Sequence, residues 1–246
     1  MGAATTEAQE NVALQVAEQI ADYVLSGAIT NALNTASVTA EEAPKLKPFV
    51  ALCDKLGAFA GQIVDDGLEA IEIEYEGDVT GLNMKPLTAC LLAGILKPLL
   101  ADINMVNAPT ILKDRGTPFT ESKRDLSPTF DSLIRVKVQT GGKWRTVAGA
   151  VIGGQPRIVE IKGMALEAPF HPIMLFINNS DTPGFIGALG MKLGGAGINI
   201  ATFNLGRVAE GEDAIALVGI DQAIPANVEA ELKALPQVRY VKQLSF

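Results

Sequence analysis

Residues suited to chemistry gather in one short stretch, Asn178-Asn179-Ser180-Asp181-Thr182-Pro183-Gly184. A strand-like run, Ile173 to Asn178, leads into it. A helix-forming run through Leu189, Met191 and Leu193, opened by Thr182-Pro183-Gly184, leads out. The first turn of a helix presents unpaired backbone N–H groups and the positive end of the macrodipole, which suit a carboxylate. Gly184 lets a ligand approach the backbone closely. Asp181, just before the helix, can hold an ammonium through charge-assisted hydrogen bonds. Asn199, at the start of the adjacent strand, offers both a donor and an acceptor. A plainer reading stands beside this one: Asp181 is a good helix N-cap, and Asn199 can simply hold a turn. A second set, Arg135, Lys137, Lys143, Arg145 and Arg157, lies on neighbouring strand-like runs. It reads either as a solvated charged face or as an anion site.

Other chemistries are excluded by what is missing. There is no G-x-G-x-x-G at a strand-to-helix turn and no phosphate loop ending in Gly-Lys-Ser/Thr. Gly194-Gly195-Ala196-Gly197 follows a helix and precedes a strand, the wrong order for cradling a phosphate, and reads as a C-cap and turn. His171 stands beside Pro172 with no local partner for acid–base work. One histidine with Cys53 and Cys90 cannot build a zinc site, and both thiols fall in apolar helical patterns as buried, inert groups. Twenty basic against 28 acidic residues give a net charge of −8, which lacks the basic footprint that nucleic acid requires. The N-terminal MGAATTEAQE has neither a basic nor an apolar signal region, and Leu87 to Leu100 is interrupted by Lys97 and Pro98, too short to span a bilayer. A cytoplasmic protein that contacts no membrane is expected.

The elements that must position these residues fall into three sections. Residues 1–33 read as a long amphipathic helix, capped by Thr5 or Thr6, with Val12, Val16, Ile20, Tyr23 and Val24 at helical spacing and a break at Ser26-Gly27. Residues 34–170 mix helices (Ala43 to Asp65, Pro86 to Leu96, Val106 to Lys113) with strands (Leu68 to Tyr75, Leu133 to Thr140, Trp144 to Ile152, Arg157 to Ile161). Gly141-Gly142 and Gly153-Gly154 supply hairpin turns. Residues 171–246 run βαββαβ, which gives a four-stranded antiparallel sheet with two helices on one face. The fold class is α+β.

The last unit resembles an ACT domain, a module that binds amino acids, in Asn178 to Gly184 and in Gly197-Ile198-Asn199-Ile200. The chain as a whole resembles the long-type D-3-phosphoglycerate dehydrogenase family. The matching segments are Gly2-Ala3-Ala4-Thr5, Glu7 to Ala13, Asn31-Ala32-Leu33-Asn34, Glu41 to Leu46, Arg145 to Gly149 and Pro156 to Ile161. The resemblance implies three parts: 1–33 as a helix left from the catalytic body, 34–170 as the intervening domain, and 171–246 as an ACT regulatory domain. It implies L-serine as effector, bound where two ACT domains meet, with Asn179, Asp181, Thr182, Pro183, Gly184, Asn199 and Ile200 around it. It also implies an anion held by Arg157, with Arg145 nearby, although Met164 and Pro169 stand where further cations would be expected. The catalytic histidine, the substrate arginine and the NAD-binding loop of that family have no counterpart here. The chain alone is therefore expected to bind no NAD and to regulate and assemble a homodimer or homotetramer. An assembly scaffold that ignores effectors is the alternative. An iron–sulfur serine dehydratase, which uses a related intervening domain, needs a cysteine trio that two cysteines cannot supply.

Overall fold

The computed structural model describes residues 5–30, 32, 37–209 and 211–246. The motif residues Gly2-Ala3-Ala4, Asn31 and Leu33-Asn34, and Glu210 of the last hairpin, lie outside the described residues.

Helix α1 (Thr6–Ser26) begins at Thr5, whose hydroxyl accepts from the Ala8 N–H at 3.3 Å. It ends at Gly27, which takes the left-handed conformation (φ 79°) that glycine permits and donates to the Tyr23 carbonyl. Its apolar stripe stays uncovered, with Ile20 58% and Val24 74% exposed.

The next elements are α2 (Ala43–Gln62), β1 (Ala70–Gly77), α3 (Met84–Leu96), α4 (Ala108–Asp114), β2 (Phe119–Arg124), β3 (Ser132–Thr140), β4 (Lys143–Ile152), β5 (Gln155–Ile161) and β6 (Met164–Pro169). Their strands form one sheet in the order β2-β1-β3-β4-β5-β6. β1 and β2 are parallel, and the other neighbours are antiparallel. Helix α2 lies on β3, β4 and β5, and α3 packs against α2. The two helices touch backbone to backbone. A Cβ on Gly57 would stand 2.4 Å from the Leu91 carbonyl oxygen, and one on Gly61 would stand 2.1 Å from that of Ile95. Only glycine permits that approach. Strands β2 and β6 were not expected from the sequence. β2 is exposed at every position and so carries no alternation. β6 alternates buried Met164, Leu166 and Ala168 with exposed partners, but over only six residues.

The remaining elements are β7 (Ile173–Ser180), α5 (Phe185–Gly195), β8 (Ile200–Arg207), β9 (Asp213–Ile220), α6 (Ala226–Lys233) and β10 (Val238–Ser245). Their antiparallel sheet has the order β10-β7-β9-β8, the expected βαββαβ ferredoxin-like arrangement. Both faces of this sheet are covered. Leu175, Ile177, Ala216 and Val218 pack under α5 and α6 with Phe185, Leu189 and Leu232. Met174, Phe176, Ile215 and Leu217 face the other way and join the core built around α2. Phe176 meets Phe59 of α2 edge-on at 5.6 Å between ring centroids, and Tyr240 of β10 at 5.8 Å. Among the described residues no helix is long and apolar enough to cross a membrane.

Candidate functional site

Register decides which side chains meet at the open end of the second sheet. Asn179 of β7 pairs with Ala214 of β9, and Ala214 pairs with Arg207 of β8. These three lie in one row across the sheet. Their parity matches Ile177, Ala216 and Leu175, which face α5 and α6. The row therefore ends beneath the mouth of α5. There a cleft of about 310 Å³ is lined by Asn179, Asp181, Thr182, Pro183 and Gly184, and by Phe185, Ile186, Gly187, Leu205 and Arg207.

Each lining group has a local cause. The Asp181 N–H donates to the Glu212 carbonyl at 2.8 Å, and the Thr182 N–H donates to the Ser180 carbonyl at 2.9 Å, so the chain turns off the sheet before the helix starts. Gly184 is the N-cap, in the left-handed region (φ 94°), and no side chain caps the helix. The role of N-cap, open to Asp181 in the sequence, is thus not the one it fills. Its carboxylate instead accepts from Arg207 Nη1 at 2.8 Å, with the acid 19% and the base 55% exposed. Asn179 is 1% exposed. Its Nδ2 donates to the Ser180 carbonyl, while its Oδ1 is buried with no hydrogen-bond partner. An orphaned acceptor of that kind costs on the order of 1–3 kcal/mol unless something donates to it. The cleft thus presents an acceptor lacking a donor, a carboxylate, a guanidinium and a helix mouth without a side-chain cap.

Five of the seven residues expected around the effector line this cleft. Asn199 and Ile200 do not. They stand at the beginning of β8, whereas Arg207 stands at its end, on the order of 25 Å away along an extended strand. Asn199 Nδ2 donates to Asp221 Oδ2 at 2.7 Å, and Ile200 packs on the core under α5 and α6. Sequence reasoning missed Arg207. The available signal was the alternation of Phe203, Leu205 and Arg207 on β8, which becomes informative only with the register of the 207–214 hairpin in hand.

The basic set on the first sheet is mostly engaged. Arg135 donates to Glu74 and Glu76 at 2.8 Å each and forks onto Glu160, and Lys137 reaches Glu72 and Glu74. Burial pushes the Glu74 carboxyl up, but hydrogen bonds from Lys137 and Arg135 outweigh it and leave it below its ordinary value of 4.5. Arg145 pairs with Asp65 at 2.8 Å, donates to the Ile63 carbonyl and lies over the Tyr240 ring. Lys242 of β10 shares the same Asp65 at 2.8 Å. Burial also raises Asp65, yet Lys242 and Arg145 hold it below its ordinary value of 3.8. Arg157 differs: its Nε is buried and has no hydrogen-bond partner. Arg145 and Arg157 do not form one site. Arg157 pairs with Ala150, whereas Arg145 lies beyond Val147, the partner of Ile161, toward the opposite end of β4.

Comparison with known proteins gives these observations a family. Residues 45–162 match the model of the D-3-phosphoglycerate dehydrogenase intervening domain. The chain is 34% identical over 247 residues to D-3-phosphoglycerate dehydrogenase of Bacillus subtilis, with 98% of this chain and 46% of that protein covered. It is 32% identical to the enzyme of the same name from Methanocaldococcus jannaschii, with 98% and 46% covered. For that from Synechocystis the figures are 31%, with 97% and 44% covered. The chain spans about half the length of the curated relatives it matches. Residues 45–162 are thus an intervening domain of the D-3-phosphoglycerate dehydrogenase type, and along nearly its whole length the chain is similar to just under half of enzymes of that name.

Proposed function

We propose that this chain is a regulatory and assembly part of a D-3-phosphoglycerate dehydrogenase of serine biosynthesis. In this reading residues 34–170 are its intervening domain, and residues 171–246 are an ACT-type unit that takes L-serine. The carrying observation is the cleft itself: the buried, unpartnered Asn179 Oδ1 beside the Asp181 carboxylate and the helix mouth of α5, which no side chain caps. An α-amino acid supplies what these groups lack. Its ammonium is a donor for Asp181 and Asn179, and its carboxylate is an acceptor for the N–H groups of the helix mouth. Calorimetry with L-serine on the intact chain should give saturable heat, and Asp181→Ala should weaken binding by at least about tenfold, the loss of one charged hydrogen bond. A folded chain that takes up no amino acid would refute this reading.

An edge strand with exposed apolar side chains around it supports the same reading. β8 ends the sheet order on one side and leaves a strand edge for a partner. Around it Ile186, Met191, Leu205 and Val208 are exposed, at 38% or more each. If two such edges pair antiparallel about Phe203, Asn199 of one copy comes level with Arg207 of the other. That pairing would bring the displaced Asn199 to the cleft of a second copy. The scaffold alternative draws on a different observation, that Asp181 is already paired with Arg207. A dimer by light scattering that ignores every amino acid would favour it.

Hydride transfer with NAD would be the work of residues other than these. Among the described residues β1 and β2 are the one parallel pair, and no glycine loop joins a strand to a helix mouth in the way a dinucleotide needs. These residues do not fit that cofactor. In the intervening domain, Arg157 is the cation we assign to an anion, because its Nε lacks a partner while Arg145 is committed to Asp65.

A further inference from the structure

The side of the first sheet turned away from α2 holds a second cleft. Ile71, Ile73 and Tyr75 of β1 enter the core around α2, so Glu72, Glu74 and Glu76 alternate onto the other face. Register sets Lys137 and Arg135 of β3 opposite Glu72 and Glu74. Arg135 pairs with Ala148 of β4, and Ala148 pairs with Glu160 of β5, which brings that carboxylate into the same row. Phe130, from the connection between β2 and β3, packs on Leu133, Ala148, Ala150 and Val159 of this face. A cleft of about 490 Å³ opens between that connection and strands β3, β5 and β6, within the size range of small-molecule sites. It shares no lining residue with the cleft at α5, so nothing in it depends on the effector reading.

Charge on this face does not balance. Four carboxylates, Glu72, Glu74, Glu76 and Glu160, meet two cations, Arg135 and Lys137. Glu76, which lines the cleft, is only 3% exposed. It pairs with Arg135 alone, although Arg124 stands opposite it on β2. Its Oε1 takes the Arg135 bond, and no group among the described residues donates to its Oε2. Ser127 Oγ, in the wall of the same cleft, is buried and likewise lacks a partner. A buried carboxylate with one oxygen unmatched is costly unless a donor reaches it. Arg135 does not make this an anion site, because it already directs four hydrogen bonds onto carboxylates. A metal ion does not fit either: among the described residues no three acidic, histidine or cysteine side chains converge to hold one. The rest of the wall, with Phe130, Leu133 and Val159, is apolar. We propose that this cleft takes a small organic cation, an alkylammonium whose charge meets Glu76 and Glu160 and whose stem lies on those three side chains.

The test is a titration of the intact chain followed by amide NMR, with n-butylammonium as the probe and n-butanol and butyrate as its neutral and anionic counterparts. Butylammonium should shift the amides of Ser127, Phe130 and Glu160 saturably in the millimolar range, and bind at least about tenfold tighter than butanol. Butyrate should leave those amides in place. Glu160→Gln, at a carboxylate 26% exposed, should weaken the probe by about tenfold. Thr129→Trp, at an exposed lining position, should abolish the shifts by filling the cleft without altering a charge. Absence of a saturable shift with butylammonium overturns the proposal, as does butanol binding as tightly. So does a Glu160→Gln chain of unchanged melting midpoint that binds the probe as the wild type does. Should Glu160→Gln lower the midpoint, Thr129→Trp decides, and shifts that persist in it overturn the proposal. Butyrate binding in place of butylammonium overturns it too and makes Arg135 an anion contact.

Discussion

Two carboxylates, Glu74 of β1 and Asp65 of the loop between α2 and β1, hold protons more weakly in the folded chain than they would in an unfolded one. Glu74 lies between Lys137 and Arg135, and Asp65 lies between Arg145 and Lys242. Both sit below their ordinary values of 4.5 and 3.8 despite burial. A lowered carboxyl contributes stability that is complete above its unfolded value and drains as the pH falls through the folded one. The thermal midpoint should therefore be flat above about pH 5.5 and drop below about pH 4.5, and Glu74→Gln should make that drop shallower while lowering the plateau. An acid limb identical in the variant would show that Glu74 is not part of it. At this scale the sequence revealed types but not partners. It placed Arg135, Lys137 and Arg145 on neighbouring strands, yet Glu72, Glu74 and Glu76 are some sixty positions away in the chain. Only the β1–β3 register brings Glu72 and Glu74 opposite Lys137 and Arg135. Arg207 escaped for the same reason, whereas Asn179, Asp181 and Gly184 were legible because a strand, a turn and a helix mouth follow one another directly.

At the scale of elements, the α2–α3 contact depends on absent atoms. Gly57 and Gly61 of α2 face carbonyl oxygens of α3 at distances no Cβ tolerates. Gly61→Ala gains helix propensity, about 1 kcal/mol in an exposed helix, but here it must push the helices apart. Overpacking of this kind costs about 1–3 kcal/mol, so urea unfolding should show a net loss rather than a gain. An unchanged or higher midpoint concentration would mean that the helices separate freely. Helices were well marked in the sequence. α1, α2 and α3 each begin within two residues of a legible cap, proline or apolar period, and Thr5 and Gly27 bound α1 as their chemistry suggests. Strands were legible where one face is buried. β3 alternates Ile134, Val136 and Val138 inward, but Phe119–Arg124 of β2 is exposed throughout, and no pattern in it distinguishes an edge strand from a loop.

At the scale of the molecule, Phe176 links the two sheets. It is 3% exposed, stacks edge-on between Phe59 and Tyr240, and belongs to the core centred on α2 although its strand belongs to the second sheet. Phe176→Ala should cost about 3–5 kcal/mol, the usual range for emptying an aromatic site. Because the core is shared, residues 37–246 should melt in a single step, and the variant should shift that step or split it in two. Two steps in the wild type by calorimetry would show that each sheet stands on its own core. A sheet clad on both sides makes a stiff plank. Whatever settles at its open end cannot bend it without tearing side chains from α2 on one side or from α5 and α6 on the other. A load applied at that end must therefore be carried as a tilt of the whole block rather than as a bend within it.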